Sequence, residues 1–187
     1  MVKHPFLIAL LLVSSAFCAT EVTEPVYFIP WHPDRKLTID DFKAPTRGKP
    51  FEAETNSIIK YEYAGSTNEG GVVLKVNAFF DTRKSYFKAE KNRAQVLEHE
   101  QGHFDITEWY ARKLTKAFKE YAPNVSVLQQ QEDRIYKQIT REWKQTQAQY
   151  DEDIYPDPSK QQPWLDRIQR EIDALEAYAA KEIVVPI

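Results

Sequence analysis

The stretch that decides the fold is Leu97–Glu108, LEHEQGHFDITE. It lies in a segment, 92 to about 121, in which only Gly102 weakens helix formation, and Pro123 ends it. With His99 at zero on a helical wheel of about 100° per residue, His103 falls about 40° away and Glu100 about 100° away. Val96, Ile106, Tyr110 and Leu114 share the sector of the histidines. Glu98, Gln101, Asp105 and Arg112 fall on the other side, which the pattern assigns to water. Two adjacent imidazoles on an apolar face need polar partners. The HExxH spacing supplies one, because side chains at i and i+4 can offer a nitrogen each to a single zinc ion. Glu100 is too far round to be an equivalent third ligand. It can still reach a water beside the ion and act as a general base.

Working outward, strands precede helices. NSIIKYEY (56–63) and VVLKVNAFF (72–80) are rich in β-branched and aromatic residues and flank the glycine-containing AGSTNEGG, which predicts an antiparallel hairpin. VVLKVNAFF is the candidate for a sheet edge that pairs with a substrate backbone. Residues 20–50 are Pro-rich and aromatic and read as short extended pieces. After the HExxH helix come a second, about 127–150, with Leu128, Ile135, Ile139, Trp143 and Tyr150 at helical spacing, and a third, Trp164–Lys181. Both stripes are core packing. The expected class is α+β: N-terminal antiparallel strands, then a long HExxH helix and two further helices, in a zincin-like arrangement.

The first residues form a separate unit. Lys3 and His4 lead into FLIALLLVSSAF, an apolar run followed by small residues, which is the pattern of a secretory signal peptide over residues 1–18. Residues 19–187 then form one domain, exported to the periplasm or the medium. Phe17 is too bulky for the usual acylation motif, which favours a free mature chain over lipid anchoring at Cys18. Cys18 is the only cysteine, so no disulfide framework is available. No later segment is apolar enough to cross a membrane. The 28 acidic and 25 basic residues are interleaved, giving a net charge of −3, which argues against nucleic acid as a partner.

The flanks of the motif extend beyond HExxH. LEHEQGHFDITEWYARKL resembles a bacterial family of predicted secreted zinc-dependent proteases, first described as a domain of unknown function, whose pattern here is HEQGHFDI-x-E-x-x-A-R. The matching residues are His99, Glu100, Gln101, Gly102, His103, Phe104, Asp105, Ile106, Glu108, Ala111 and Arg112. LTIDDFKA (37–44) is similar to the family's L-x-W-x-D-F-K-G, with Ile39 and Ala44 at the Trp and Gly positions, and AETNSI (53–58) fits the strand that follows. The resemblance implies an exported zinc-dependent hydrolase acting on a peptide or protein substrate, with Glu100 as the base and His99 and His103 on the metal.

One departure matters. The family continues with Y-D-x-x-T-x-H-G, whose histidine is the natural third ligand; this chain reads YDEDIYPDPS, keeping Tyr150 and Asp151 but not the Thr or the His. An acidic residue must then complete the set. A helical hairpin turning near Pro123 puts residues near 143 level with His103, which favours Glu142, while the resemblance favours Asp151, with Asp157 behind them. His32, in a Pro-rich loop, reads as a surface residue. The missing histidine also leaves an alternative: a catalytically silent exported domain that acts by binding partners.

Overall fold

The computed structural model describes residues 27–187. Residues 1–18, expected to be a signal peptide, lie outside them, Cys18 included. The fold is α+β, with antiparallel strands followed by three helices. The strands are β1 (Phe28–Pro30), β2 (Ala53–Glu54), β3 (Ser57–Ser66), β4 (Val72–Asp81) and β5 (Tyr86–Phe87). The helices are α1 (Arg93–Tyr121), α2 (Val125–Ile154) and α3 (Gln161–Ala174), and a last strand, β6 (Glu182–Val185), closes the chain. Among the described residues no helix is long and apolar enough to cross a membrane.

β4 is the centre of the main sheet. It pairs with β3 along nearly its whole length, and on its other side with β6 through Val72–Lys75 and with β1 through Phe79–Asp81. The expected substrate-pairing edge, VVLKVNAFF, is therefore an interior strand. Its composition explains this: Leu74, Val76, Ala78 and Phe80 alternate and are fully buried against the helical layer, as a two-residue period requires. Among the described residues β3 pairs only with β4, so β3 carries the open edge.

The long central helix is covered on every side from His99 to Phe118. Phe104 meets Phe80 of the sheet at 5.8 Å between ring centroids. Of the side expected to face water, Glu98 does so, while Gln101, Asp105 and Arg112 are all less than a tenth exposed. Each is polar because each docks another part of the chain. Gln101 accepts from the Leu37 amide at 2.7 Å and donates to Asp105 at 2.8 Å; Asp105 accepts from the Trp31 indole at 2.6 Å. Glu108, wholly inaccessible, takes both Arg112 Nε at 3.0 Å and Lys181 Nζ at 2.8 Å. A buried carboxylate left without such partners would cost several kcal/mol, on the order of 3–5.

The same arginine explains why the third helix ends at Ala174 rather than Lys181. Arg112 Nη1 donates to the Ile172 carbonyl at 3.0 Å and to Glu176 at 2.8 Å. The chain then tightens into a 3-10 turn over Glu176–Tyr178 and folds back as β6. That strand had no separate signal, because EIVVPI is too short for periodicity to stand out.

α1 and α2 form an antiparallel pair with Asn124 capping the second helix through the Val127 amide. Tyr150 of α2 packs directly against Gly102 of α1. A Cβ there would fall 2.7 Å from Cζ of Tyr150 and 3.1 Å from a Leu165 methyl. The Tyr150 ring occupies the space that glycine leaves, and its hydroxyl donates to the His99 carbonyl at 3.3 Å. Gly102→Ala therefore sets a helix-propensity gain of about 1 kcal/mol against overpacking of about 1–3 kcal/mol. The expected outcome is net destabilisation, seen as a lower urea midpoint; a more stable variant would show that the approach is not tight.

Candidate metal centre

The α1–α2 approach brings together three donor groups, from His99, His103 and Asp151. Asp151 Oδ1 lies 2.9 Å from His103 Nε2 and 3.1 Å from His99 Nε2, and the two imidazole nitrogens are 3.2 Å apart. Around a small tetrahedral cation with bonds of roughly 2.0–2.2 Å, neighbouring donors stand about 3.3–3.6 Å apart. The observed triangle is slightly tighter than that and of nearly equal sides. Three donors that enclose one point and leave one side free match the pattern of a catalytic metal site.

The hydrogen bonds behind the histidines decide which atoms face that point. Gln147 Nε2 donates to the His103 carbonyl at 2.9 Å and to Thr107 Oγ1 at 3.2 Å. A main-chain carbonyl can only accept, so this end of the amide is the NH2 group and Oε1 is the atom 2.6 Å from His103 Nδ1. Nδ1 must then carry a proton, and in the neutral ring Nε2 presents a lone pair to Asp151 and His99. Lone pairs at such distances repel unless a cation lies between them. In a metal-free site the cation is a proton: burial disfavours charge on His103, but hydrogen bonding and attraction to Asp151 outweigh it and raise its pKa. Burial likewise opposes ionisation of Asp151, yet its bonds to His103 and His99 hold the carboxyl well below the usual range. The donor set fits a divalent metal ion, which would replace that proton.

Glu100 lies beside the triad and is only 3% exposed. Its Oε2 is buried and has no hydrogen-bond partner. Burial raises its pKa, against the pull of His103, Thr55 and His99. A buried orphan oxygen costs on the order of 1–3 kcal/mol, and more when charged, so its retention calls for a ligand or water that it serves. The site opens to solvent on two sides. Phe51 and Tyr155, both about half exposed, stack over it at 6.1 Å and 15°. The Tyr155 hydroxyl is pushed up to about 12 by burial and by Asp151 and Glu100, so it stays a donor at neutral pH.

The other acidic candidates lie elsewhere. Glu142 accepts from Lys113 Nζ at 2.8 Å, and that bond holds its carboxyl below the usual range. Asp157 caps the short turn before α3 through Ser159. His32 is exposed and sits beside Asp34. Of the acidic residues weighed from the sequence, only Asp151 joins the histidines.

A family model matches residues 41–154, which include His99, Glu100, His103, Gln147 and Asp151 and stop one residue short of Tyr155. The chain belongs to the DUF922 family of bacterial proteins of unknown function. No curated protein and no solved structure matches it. The DUF922 description names no metal and no activity, so membership does not carry the protease function that the motif's flanks imply. In this DUF922 chain the residues missed by sequence reading are Gln147, Thr107, Phe51 and Tyr155. Gln147 was legible in principle, being one turn before Asp151 on the same face.

These contacts predict a ranking in zinc titrations of the full chain. Gln147→Leu should weaken binding about 10–100-fold by freeing the His103 ring. Asp151→Ala should weaken it more than that, and Glu142→Ala should leave it unchanged. Equal affinity in the Asp151 variant and the parent would remove Asp151 from the ligand set.

Proposed function

We propose that this protein is an exported zinc-dependent hydrolase, a peptidase in its simplest form, with a zincin-like arrangement of an HExxH helix beneath an antiparallel sheet. His99, His103 and Asp151 hold the ion and Glu100 is the general base. The observation that carries the reading is the buried, unpartnered Oε2 of Glu100 beside a three-donor set. Metal binding alone has no use for that carboxylate. Two imidazoles and one carboxylate suit Zn2+, since they match its preference for nitrogen and oxygen donors and leave a fourth position open.

A zinc ion bound there supplies Lewis acidity, lowering the pKa of a water toward 7 and polarising a carbonyl. The protein's own groups do the rest. Glu100 Oε2, buried beside the donor set, takes the proton from the attacking water. The same oxygen can return that proton to the departing amine nitrogen. Gln147 keeps the His103 ring aimed, and Tyr150 holds the His99 turn through its carbonyl. Thr55–Ser57, leading into the open β3 edge, line the cleft beside His103. Asp151 supplies the third donor whose absence had favoured a silent partner-binding domain.

Glu100→Gln separates binding from chemistry. The variant should hold zinc with the parent's affinity and lose roughly 10²–10⁴-fold in peptide cleavage. Undiminished cleavage by the variant would exclude Glu100 as the base, and a zinc-loaded parent that cleaves no peptide would return the silent domain.

A further inference from the structure

The centre lies between two clefts, the first more apolar than the second, that meet beneath the Phe51–Tyr155 pair. One, of about 410 Å3, includes His99 and is walled by Pro50, Val96, Ile154 and Pro158. The other, of about 380 Å3, includes His103 and Asp151 and is walled by Asn56, Ser57, Lys144 and Gln147. Phe51, Ala53, Glu100 and Tyr155 belong to both. Each volume is that of a small ligand site, and the orphan carboxylate oxygen is at their junction.

Resting on the hydrolase reading, we propose that the two clefts form one substrate groove that selects an extended chain by an apolar side chain seated on the His99 side. The occupant is a peptide with Leu- or Phe-sized bulk at that position and a polar residue across the reacting bond. Several features point there. The His99-side wall is mostly apolar in area, through Pro50, Val96, Ile154 and Pro158, although Glu52, Asn92, Gln95 and Gln161 also line it. The His103-side wall carries more polar groups, with Thr55, Asn56, Ser57, Lys144 and Gln147 beside Trp143. A chain joining the two must pass Glu100, the one group placed to act on a bond there. It must also displace or pass under the stacked rings of Phe51 and Tyr155. That contact is a single aromatic pair between a loop and a helix end, weak enough for a substrate to open. Because both clefts reach solvent, the chain can continue in either direction, so the cut falls inside a peptide rather than at its end.

Hydroxamates test this by calorimetry, without requiring turnover. N-acetyl-leucine, N-acetyl-glycine and N-acetyl-aspartate hydroxamates are titrated into the zinc-loaded full chain. Burying a leucine side chain corresponds to about tenfold or more in affinity, so the leucine probe should bind at least about tenfold tighter than the other two. Val96→Glu should reduce that advantage to about twofold. Phe51→Ala, on an exposed loop, should reduce it in part and gives a second check if the Val96 variant folds poorly. Equal binding of the three probes, no binding of any, or an advantage that survives both substitutions would overturn the groove. A chain that ranks the probes as expected but cleaves no peptide keeps the groove and loses the peptidase. One that cleaves peptides without regard to apolar side chains does the reverse.

Discussion

The centre depends on how closely α2 can approach α1 at Gly102. Any side chain at that position would hold Tyr150 away, and Tyr150 is adjacent to Asp151 and one turn beyond Gln147. The glycine lets the tyrosine ring stack at 4.7 Å on His99 and sets its hydroxyl against the His99 carbonyl. With α2 held there, Gln147 reaches His103 Nδ1 and Asp151 reaches both Nε2 atoms. Interior packing transmits such displacements because it has few voids to absorb them.

α1 serves two purposes on two faces. His99, Glu100 and His103 face the centre. Gln101, Asp105, Glu108 and Arg112 fix the N-terminal segment and the C-terminal strand to the same helix. The run from His99 to Arg112 therefore combines residues of the centre with residues of the scaffold. The scaffold residues are polar because what they bind is backbone, indole and ammonium, and inside the protein these need charged or amide partners. Burial of a helix on all sides makes it rigid, which suits a site whose donors must hold their places within a fraction of an ångström.

Much of this was legible in the sequence. The HExxH helix, the strands before it and the two helices after it followed from periodicity and from the change in residue type. Asp151 was in view, but ranking by height pointed to Glu142 near residue 143. That reckoning set Cα atoms level across the hairpin. Side chains on a helix lean toward its N-terminus, so the His103 ring tips away from the turn and α2 side chains tip back toward it. Both displacements move the meeting point to higher numbers, to Gln147 and Asp151. Other features needed three dimensions. The buried polar face of α1 depends on segments more than sixty residues away, as in Leu37–Gln101 and Arg112–Ile172. The interior position of β4 depends on β6, a short strand that only pairing reveals.

The central claim is that two imidazoles and the Asp151 carboxylate share one metal ion. X-ray absorption at the zinc edge of the reconstituted chain addresses it most directly. The expected spectrum shows one zinc per chain in a four-coordinate shell of nitrogen and oxygen at roughly 2.0–2.1 Å, with outer-shell scattering from two imidazole rings. An oxygen-only shell, scattering from a single ring, or a chain that retains no zinc would contradict it.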